Sequence, residues 1–133
     1  DEHPNTLTSR NNLAAAYHSA GRLTEAIELY EQNLTHRERI LGNEHPDTLT
    51  SRNNLAGAYD SAGRLTEAIE LYEQTLTHRE RILGDEHPDT LNSRNNLATA
   101  YRSAGRLTEA IELYEQTLTA AERILGRRTP NTL

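Results

Sequence analysis

Histidine is the residue type in this sequence best suited to metal binding or acid–base catalysis, and the chain has six. The imidazole ring coordinates transition metals and exchanges a proton near neutral pH. A transition-metal site, however, needs three or four ligands in one coordination sphere. His3, His45 and His87 lie 42 residues apart, each directly before a proline, and His36 and His78 share a second position at the same spacing. We therefore expect these histidines to pack at junctions or face solvent, and we expect no metal site.

Glutamates and one serine–histidine pair are the other candidates for catalysis. A catalytic carboxylate pair needs two environments that separate the two pKa values, whereas Glu67, Glu70 and Glu73 recur at equivalent positions every 42 residues and so share one environment. We expect them to form a solvated face. His18 and Ser19 are adjacent, but adjacent helical residues point apart and no orienting acid follows. With no cysteine and no glycine-rich phosphate loop, we expect no catalytic residue, no cofactor and no enzymatic activity.

Charge and hydropathy exclude further classes of partner. The formal net charge is −6, and all fourteen basic residues are arginine. With a pI near 5.5, the chain lacks the basic surface that a nucleic-acid binder requires. No apolar stretch reaches the roughly 18 residues of a membrane span, and the acidic start Asp1-Glu2 is unlike a secretory signal. We expect a cytoplasmic protein that binds neither nucleic acid nor membrane.

Internal repetition determines how the chain is organised. Residues 1–42, 43–84 and 85–126 are three copies of one 42-residue unit, and a fourth copy begins at 127–133. Copies one and two differ at five positions, and copies two and three differ at six. The sequence therefore predicts an array of three equivalent units followed by a truncated fourth.

Each copy has the pattern of two helices. In copy two, Pro46 suits the first turn of a helix and Gly63 supplies a stop. Thr66 is a plausible N-cap for a second helix of about 17 residues, which Gly84 would end. Apolar residues recur at helical spacing and no alternating pattern competes, so we predict an all-α chain. A helical hairpin this small cannot bury its own apolar face, which favours stacking into a solenoid.

The spacing within a copy resembles a known family. In copy two the pattern is Arg52-x2-Leu55-Ala56-x2-Tyr59, then Ala68-x3-Tyr72, then Pro88, and it is similar to the tetratricopeptide repeat (TPR) pattern. Eight extra residues, 77–84, lengthen the second helix. The unit looks like the 42-residue TPR of kinesin light chains and bacterial signalling proteins. The resemblance implies a right-handed α-solenoid of antiparallel helix pairs, a TPR superhelix.

Three of the positions that vary between copies lie on one face of the first helix. Spacings of i, i+7 and i+10 place them together, and an asparagine at i+3 shares the face. In TPR proteins the first helices line a concave groove, so the resemblance implies that this face holds an extended peptide or protein segment. The residues are Thr8, Asn11, Ala15 and His18 in copy one, Thr50, Asn53, Gly57 and Asp60 in copy two, and Asn92, Asn95, Thr99 and Arg102 in copy three.

Two questions stay open at the level of sequence. Arginines at 10, 52 and 94, and at 22, 64 and 106, could bind an acidic partner, but bridges to glutamates of the adjacent helix are the favoured interpretation. The leading function is a non-catalytic protein–protein interaction module. The alternative is a structural array that associates head to tail with no groove ligand, either as a fragment of a longer bacterial protein or as an engineered consensus array.

Overall fold

A computed structural model describes residues 4–128, and in this range every regular element is an α-helix. His3 and all of the predicted fourth copy beyond Arg128 lie outside the described residues. The helices, in chain order, are α1 (Pro4–Ser19), α2 (Leu23–Leu41), α3 (Pro46–Ser61), α4 (Leu65–Leu83), α5 (Pro88–Ser103) and α6 (Leu107–Arg128).

Proline and histidine together start the first helix of copies two and three. Pro46 lies in the first turn of α3, as predicted. The preceding His45 is the N-cap, and its Nδ1 accepts a hydrogen bond from the backbone N–H of Asp47 at 3.0 Å. His87 and Asp89 repeat this contact at 3.1 Å in α5. The junction histidines therefore satisfy a helix N–H that would otherwise lack an acceptor.

Glycine ends the same helices through a defined turn. Gly63 has φ +77°, a left-handed conformation that side chains with a Cβ rarely adopt. The N–H of Arg64 donates to the carbonyl of Tyr59 at 2.8 Å, and the N–H of Gly63 donates to that of Asp60 at 3.0 Å. This pair of bonds is a Schellman motif, and it confirms the predicted stop.

One boundary prediction for the second helix of copy two is wrong. Helix α4 has 19 residues and already includes Leu65, so Thr66 lies inside the helix instead of capping it. In copy one the N-cap is Arg22, which makes no side-chain capping bond. Helix α4 ends at Leu83, directly before Gly84, as predicted. Helix α6 instead continues through Gly126 to Arg128, and Gly126 lacks the positive φ of Gly84.

The chain divides into two compact units, Asp1–Leu71 and Tyr72–Leu133. In the first unit α2 contacts both α1 and α3, and the predicted apolar residues Leu55, Ala56 and Tyr59 are buried. In the second unit α5 contacts α6, with Leu97 and Tyr101 buried. The division falls inside α4, so it does not test the repeat limits 1–42, 43–84 and 85–126, which stay a prediction.

Candidate functional site

The face predicted to bind a ligand is accessible on each first helix; we call it the asparagine face. None of its twelve residues is buried. The half-buried members are Asn11, His18, Asn53, Gly57, Asp60 and Thr99, and the exposed members are Thr8, Ala15, Thr50, Asn92, Asn95 and Arg102.

Polar contacts join α1 to α3 along this face in the first unit. The Nδ2 of Asn54 donates to the Oδ1 of Asn11 at 3.2 Å. The Nε2 of His18 lies 2.8 Å from the Oγ of Ser61. The asparagine face of α1 is therefore next to that of α3, with its side chains held by hydrogen bonds.

Sequence reasoning missed Asn54 and Ser61 as members of this surface. Both residues are identical in all three copies, so a search for positions that vary passes over them. Their helical spacing was the available signal, because Asn54 and Ser61 lie at i+4 and i+11 from Thr50 and so share its face.

Asp60 and Thr99 show that the face is partly integrated into the helix packing. Burial raises the pKa of the Asp60 carboxyl, because partial removal from water disfavours the charged form. The Oγ1 of Thr99 lies 3.0 Å from the hydroxyl of Tyr114 on α6. Thr99 therefore contacts the second helix of its own copy, whereas Asn92, Asn95 and Arg102 face solvent.

Arg52 and Arg94 are buried and bind groups at the helix junctions. Arg94, only 5% exposed, donates to the carboxylates of Glu80 and Asp85, each at 3.1 Å, and to the backbone carbonyl of Asp85 at 3.3 Å. Arg52 lies 3.5 Å from Glu38. These contacts confirm the predicted bridges to glutamates of the adjacent helix. Arg10 differs, since its Nη1 contacts Asn33 and His36.

A second set of arginines lies directly before each second helix and binds a glutamate of that helix, as the predicted bridges require. Arg64 binds Glu67 in the first turn of the helix that follows it, at 2.6 Å, and lies 4.5 Å over the ring of Tyr59. The hydrogen bond from Arg64 lowers the pKa of Glu67. Arg22 and Arg106 make the equivalent contacts.

The predicted glutamate face lies at the surface, and two of its members also accept a hydrogen bond from a tyrosine. The hydroxyl of Tyr59 donates to Glu31 at 2.7 Å, and that of Tyr101 donates to Glu73 at 2.6 Å. Burial and the neighbouring carboxylate raise the pKa of each tyrosine to about 12. These glutamates are exposed at the surface and still bind the tyrosine of a neighbouring helix.

Neither a cluster of metal ligands nor a membrane-spanning helix occurs among residues 4–128. Across residues 4–128, no three His, Asp or Glu side chains converge in a way that could hold a metal ion. In the same range no helix combines the length and the apolar character needed to cross a bilayer.

Comparison with known proteins gives the family. The tetratricopeptide repeat model matches residues 5–81 and 61–123. The chain is 38% identical to nearly identical TPR-like repeats of a candidate kinesin light chain from Podosopora anserina, with a TM-score of 0.82 over 100% of this chain and 59% of that one. No curated protein sequence matches.

Two further solved structures share the fold. BtubC (BKLC) from P. vanneervenii is 25% identical, with a TM-score of 0.80 over 88% of this chain and 46% of that one. MamA, at 19% identity and a TM-score of 0.66 over 90% of this chain and 60% of that one, shows the fold alone. The chain thus spans about half the length of these relatives. These matches confirm the predicted all-α helical-repeat fold of the α-solenoid class, and the chain belongs to the tetratricopeptide repeat family, of the kinesin-light-chain-like type.

Proposed function

We propose that the asparagine face binds an extended peptide or protein segment and that the protein is a non-catalytic interaction module. TPR folds mediate protein–protein interaction in general, so the family supports the class of function. The observation that carries the finer proposal is the arrangement on α1 and α3, where Asn54 contacts Asn11 and His18 contacts Ser61 across two adjacent helices. A cytoplasmic location remains part of this proposal.

The chemistry of the face suits a polypeptide backbone. An asparagine side chain offers both a donor and an acceptor, which matches the N–H and C=O of an extended chain. Hydrogen bonds between neighbouring helices restrict the side chains before a ligand arrives, which reduces the entropy lost on binding. The variable residues beside them, His18 and Asp60 in the first unit and Arg102 in the second, would select ligand side chains.

A peptide selection tests this proposal. Peptides would be selected from a random library against the 133-residue chain and their Kd values measured. Asn53→Ala should weaken binding several-fold, because one neutral hydrogen bond contributes on the order of 1 kcal/mol. Exchanging Asp60 and Arg102 should change which peptides are selected at constant net charge.

The matched control is Glu70→Ala, at an exposed position of α4. It should leave the affinity unchanged, and circular dichroism should show equal helix content in all variants. Loss of binding in Glu70→Ala together with parental binding in the two asparagine-face variants would contradict the proposal.

A second function, head-to-tail self-association, is favoured by uncovered apolar side chains. On α6, Ile111 and Leu118 are 55% and 59% exposed, whereas their equivalents on α2, Ile27 and Leu34, are 6% and 8% exposed. On α1, Leu13 is 47% exposed, against 4% for Leu55 on α3. Since α3 packs on α2 in the first unit, α1 of a second copy could pack on α6 in the same way.

The interface between two copies would be weaker than the contact between α2 and α3, because the copies differ at one position of the second helix. Arg37 on α2 donates to the Oγ of Ser51 at 2.6 Å, and its carbonyl accepts from Thr48 at 3.3 Å. The position equivalent to Arg37 on α6 is Ala121. A second copy would therefore lack the side-chain bond to its serine, whereas the backbone carbonyl of Ala121 could still accept from Thr6 of that copy. Because such a contact is heterologous, it would add copies one after another.

Light scattering against concentration tests the second function. The parent chain should associate weakly at millimolar concentration. Ala121→Arg should lower the concentration needed, because the new arginine could reach Ser9 of the next copy as Arg37 reaches Ser51. Ser9→Ala in the Ala121→Arg background should return the concentration needed for association to that of the parent. A chain that stays monomeric at millimolar concentration, with or without the arginine, would rule out this function.

A further inference from the structure

A hydrogen bond between a tyrosine and a glutamate recurs where the first helix of a copy meets the second helix of the copy before it. The hydroxyl of Tyr59 on α3 donates to Glu31 on α2, and that of Tyr101 on α5 donates to Glu73 on α4. Both tyrosines are buried and both glutamates are exposed. The bond is therefore a repeated feature of the contact between successive copies.

The donor for one more such bond is present on α1, and the acceptor is present on α6. Tyr17 on α1 is equivalent to Tyr59, and Glu115 on α6 is equivalent to Glu31. Within residues 4–128, neither the hydroxyl of Tyr17 nor the carboxylate of Glu115 has a hydrogen-bond partner. Glu115 is exposed and Tyr17 is half-buried, so both groups can be reached from outside the chain.

The ring of Tyr17 already has the environment of the bonded tyrosines. The guanidinium of Arg22 lies 4.6 Å from the centre of this ring, and that of Arg64 lies 4.5 Å from the ring of Tyr59. A cation over an aromatic face is attracted to it, so the contact restrains the ring before the hydroxyl meets an acceptor. This restraint reduces the entropy lost on binding.

The apolar side chains near these two residues do not select one position along the helix. Glu115 lies one turn from both Ile111 and Leu118 on α6. Tyr17 lies one turn after Leu13 on α1. Apolar contacts are non-directional, whereas a shift of one helical turn moves a tyrosine hydroxyl by about 5.4 Å, which breaks a hydrogen bond. The polar pair can therefore distinguish one register from the next.

We propose that the carboxylate of Glu115 accepts a hydrogen bond from the hydroxyl of Tyr17 in a second copy of the chain, and that this bond sets the register of head-to-tail association. The inference rests on the self-association proposed above and adds the contact that makes it specific. Helix α1 of the second copy lies on α6 as α3 lies on α2 in the first unit. Each added copy then repeats the contact that already joins copies within one chain.

Two chains that can each use only one end test the proposal. Leu118→Arg blocks α6 and leaves α1 able to bind, and Leu13→Arg does the reverse. Both leucines are exposed, so both variants should fold. The Leu13→Arg chain also carries Ala121→Arg to strengthen the contact. Neither chain should associate alone, and their mixture should form a one-to-one complex whose Kd is measured by NMR titration.

Tyr17→Phe in the Leu118→Arg chain should weaken this complex roughly tenfold, because a hydrogen bond to a charged acceptor is lost. Glu115→Ala in the Leu13→Arg chain should have a similar effect. With both changes present the complex should be no weaker than with one, because each removes the same bond. The controls are Tyr101→Phe, which removes the equivalent bond inside one chain, and Glu112→Ala, at an exposed position of α6. Both should leave the Kd unchanged.

The possible failures separate the bond from the association itself. If the two chains form no complex, both the self-association and this bond are wrong. If the complex forms and either Tyr17→Phe or Glu115→Ala keeps the parental Kd, the bond alone is wrong. Effects of the two changes that simply add would show that the residues do not contact each other, which would also overturn the proposal.

Discussion

The hydroxyl of Tyr59 on α3 donates to the carboxylate of Glu31 on α2 at 2.7 Å. Tyr101 on α5 makes the same bond to Glu73 on α4 at 2.6 Å. The tyrosine ring is buried while the glutamate stays at the surface. The bond therefore ties the first helix of one copy to the second helix of the copy before it, at the edge of the apolar core.

Removing the hydroxyl should destabilise the protein without disturbing the core. Tyr59→Phe keeps the ring and loses a hydrogen bond to a charged acceptor, so the free energy of unfolding should fall by about 1.5 kcal/mol. Urea unfolding measures the change. Glu31→Gln keeps an acceptor and should cost less than Tyr59→Phe; an equal or larger cost would show that the charge of Glu31, and not this bond, is what matters.

The same tyrosines predict a loss of stability in alkali. Each folded pKa is about 12, above the unfolded value of about 10. The unfolded chain therefore loses its proton first, so the stability falls as pH rises from about 10 to 12. The double variant Tyr59→Phe and Tyr101→Phe should show a flatter decline in thermal midpoint over this range. A decline as steep as the parent's would contradict the assignment.

Replacing Asp60 should stabilise the protein, in contrast to the replacement of Tyr59. Burial raises its folded pKa, so the unfolded carboxyl ionises first and the protein loses stability as pH rises through the carboxyl range. Asp60→Asn should be more stable than the parent at pH 7. The difference should vanish near pH 3, below the unfolded pKa of about 3.9.

Asp47→Asn provides the control for that pH series. Its exposed carboxylate lies in the first turn of α3, where the helix dipole favours negative charge, so its removal should not stabilise the protein at pH 7. An Asp60→Asn variant that is less stable than the parent at pH 7 would show that the carboxylate is favourable in its site.

The capping histidines should be replaceable only by other capping residues. His45→Ala removes the acceptor for the Asp47 N–H and should cost about 1 kcal/mol of stability. His45→Asn supplies a side-chain acceptor at the same position and should retain most of that stability. If thermal unfolding shows both variants equally destabilised, the packing of the His45 ring contributes more to stability than its hydrogen bond to the Asp47 N–H.

Stability should be far more sensitive to the loss of Arg79 than to the loss of an exposed side chain on the same helix. Its Nη1 donates to the Oγ of Ser93 at 2.9 Å, and both residues are buried. Arg79→Ala would leave Ser93 without this donor and should cost about 1–3 kcal/mol. Gln74→Ala, at an exposed position of the same helix, should change stability by less than about 0.5 kcal/mol. Equal costs in denaturant unfolding would contradict the role of Arg79.

Local signals in the sequence were sufficient to predict the helices and to indicate the family. Pro46 and Gly63 mark the limits of α3 because proline suits a first turn and glycine adopts a positive φ, and neither property depends on distant residues. The apolar spacing around Leu55 and Tyr59 identifies the buried side in the same way. The asparagine face follows from the same periodicity, with the omission of Asn54 and Ser61.

The partners of polar side chains could not be obtained in this way, because they depend on helices far along the chain. Arg10, Arg52 and Arg94 have nearly identical local sequences, yet Arg94 binds Glu80 and Asp85 while Arg10 contacts Asn33 and His36. Leu34 and Leu118 likewise occupy the same position of their copies, and one is buried while the other is 59% exposed. Sequence therefore determined the helices, their period and their apolar side. Only the tertiary structure decided which of the equivalent residues in the three copies is buried and which polar group each one contacts, because both depend on the neighbouring helix.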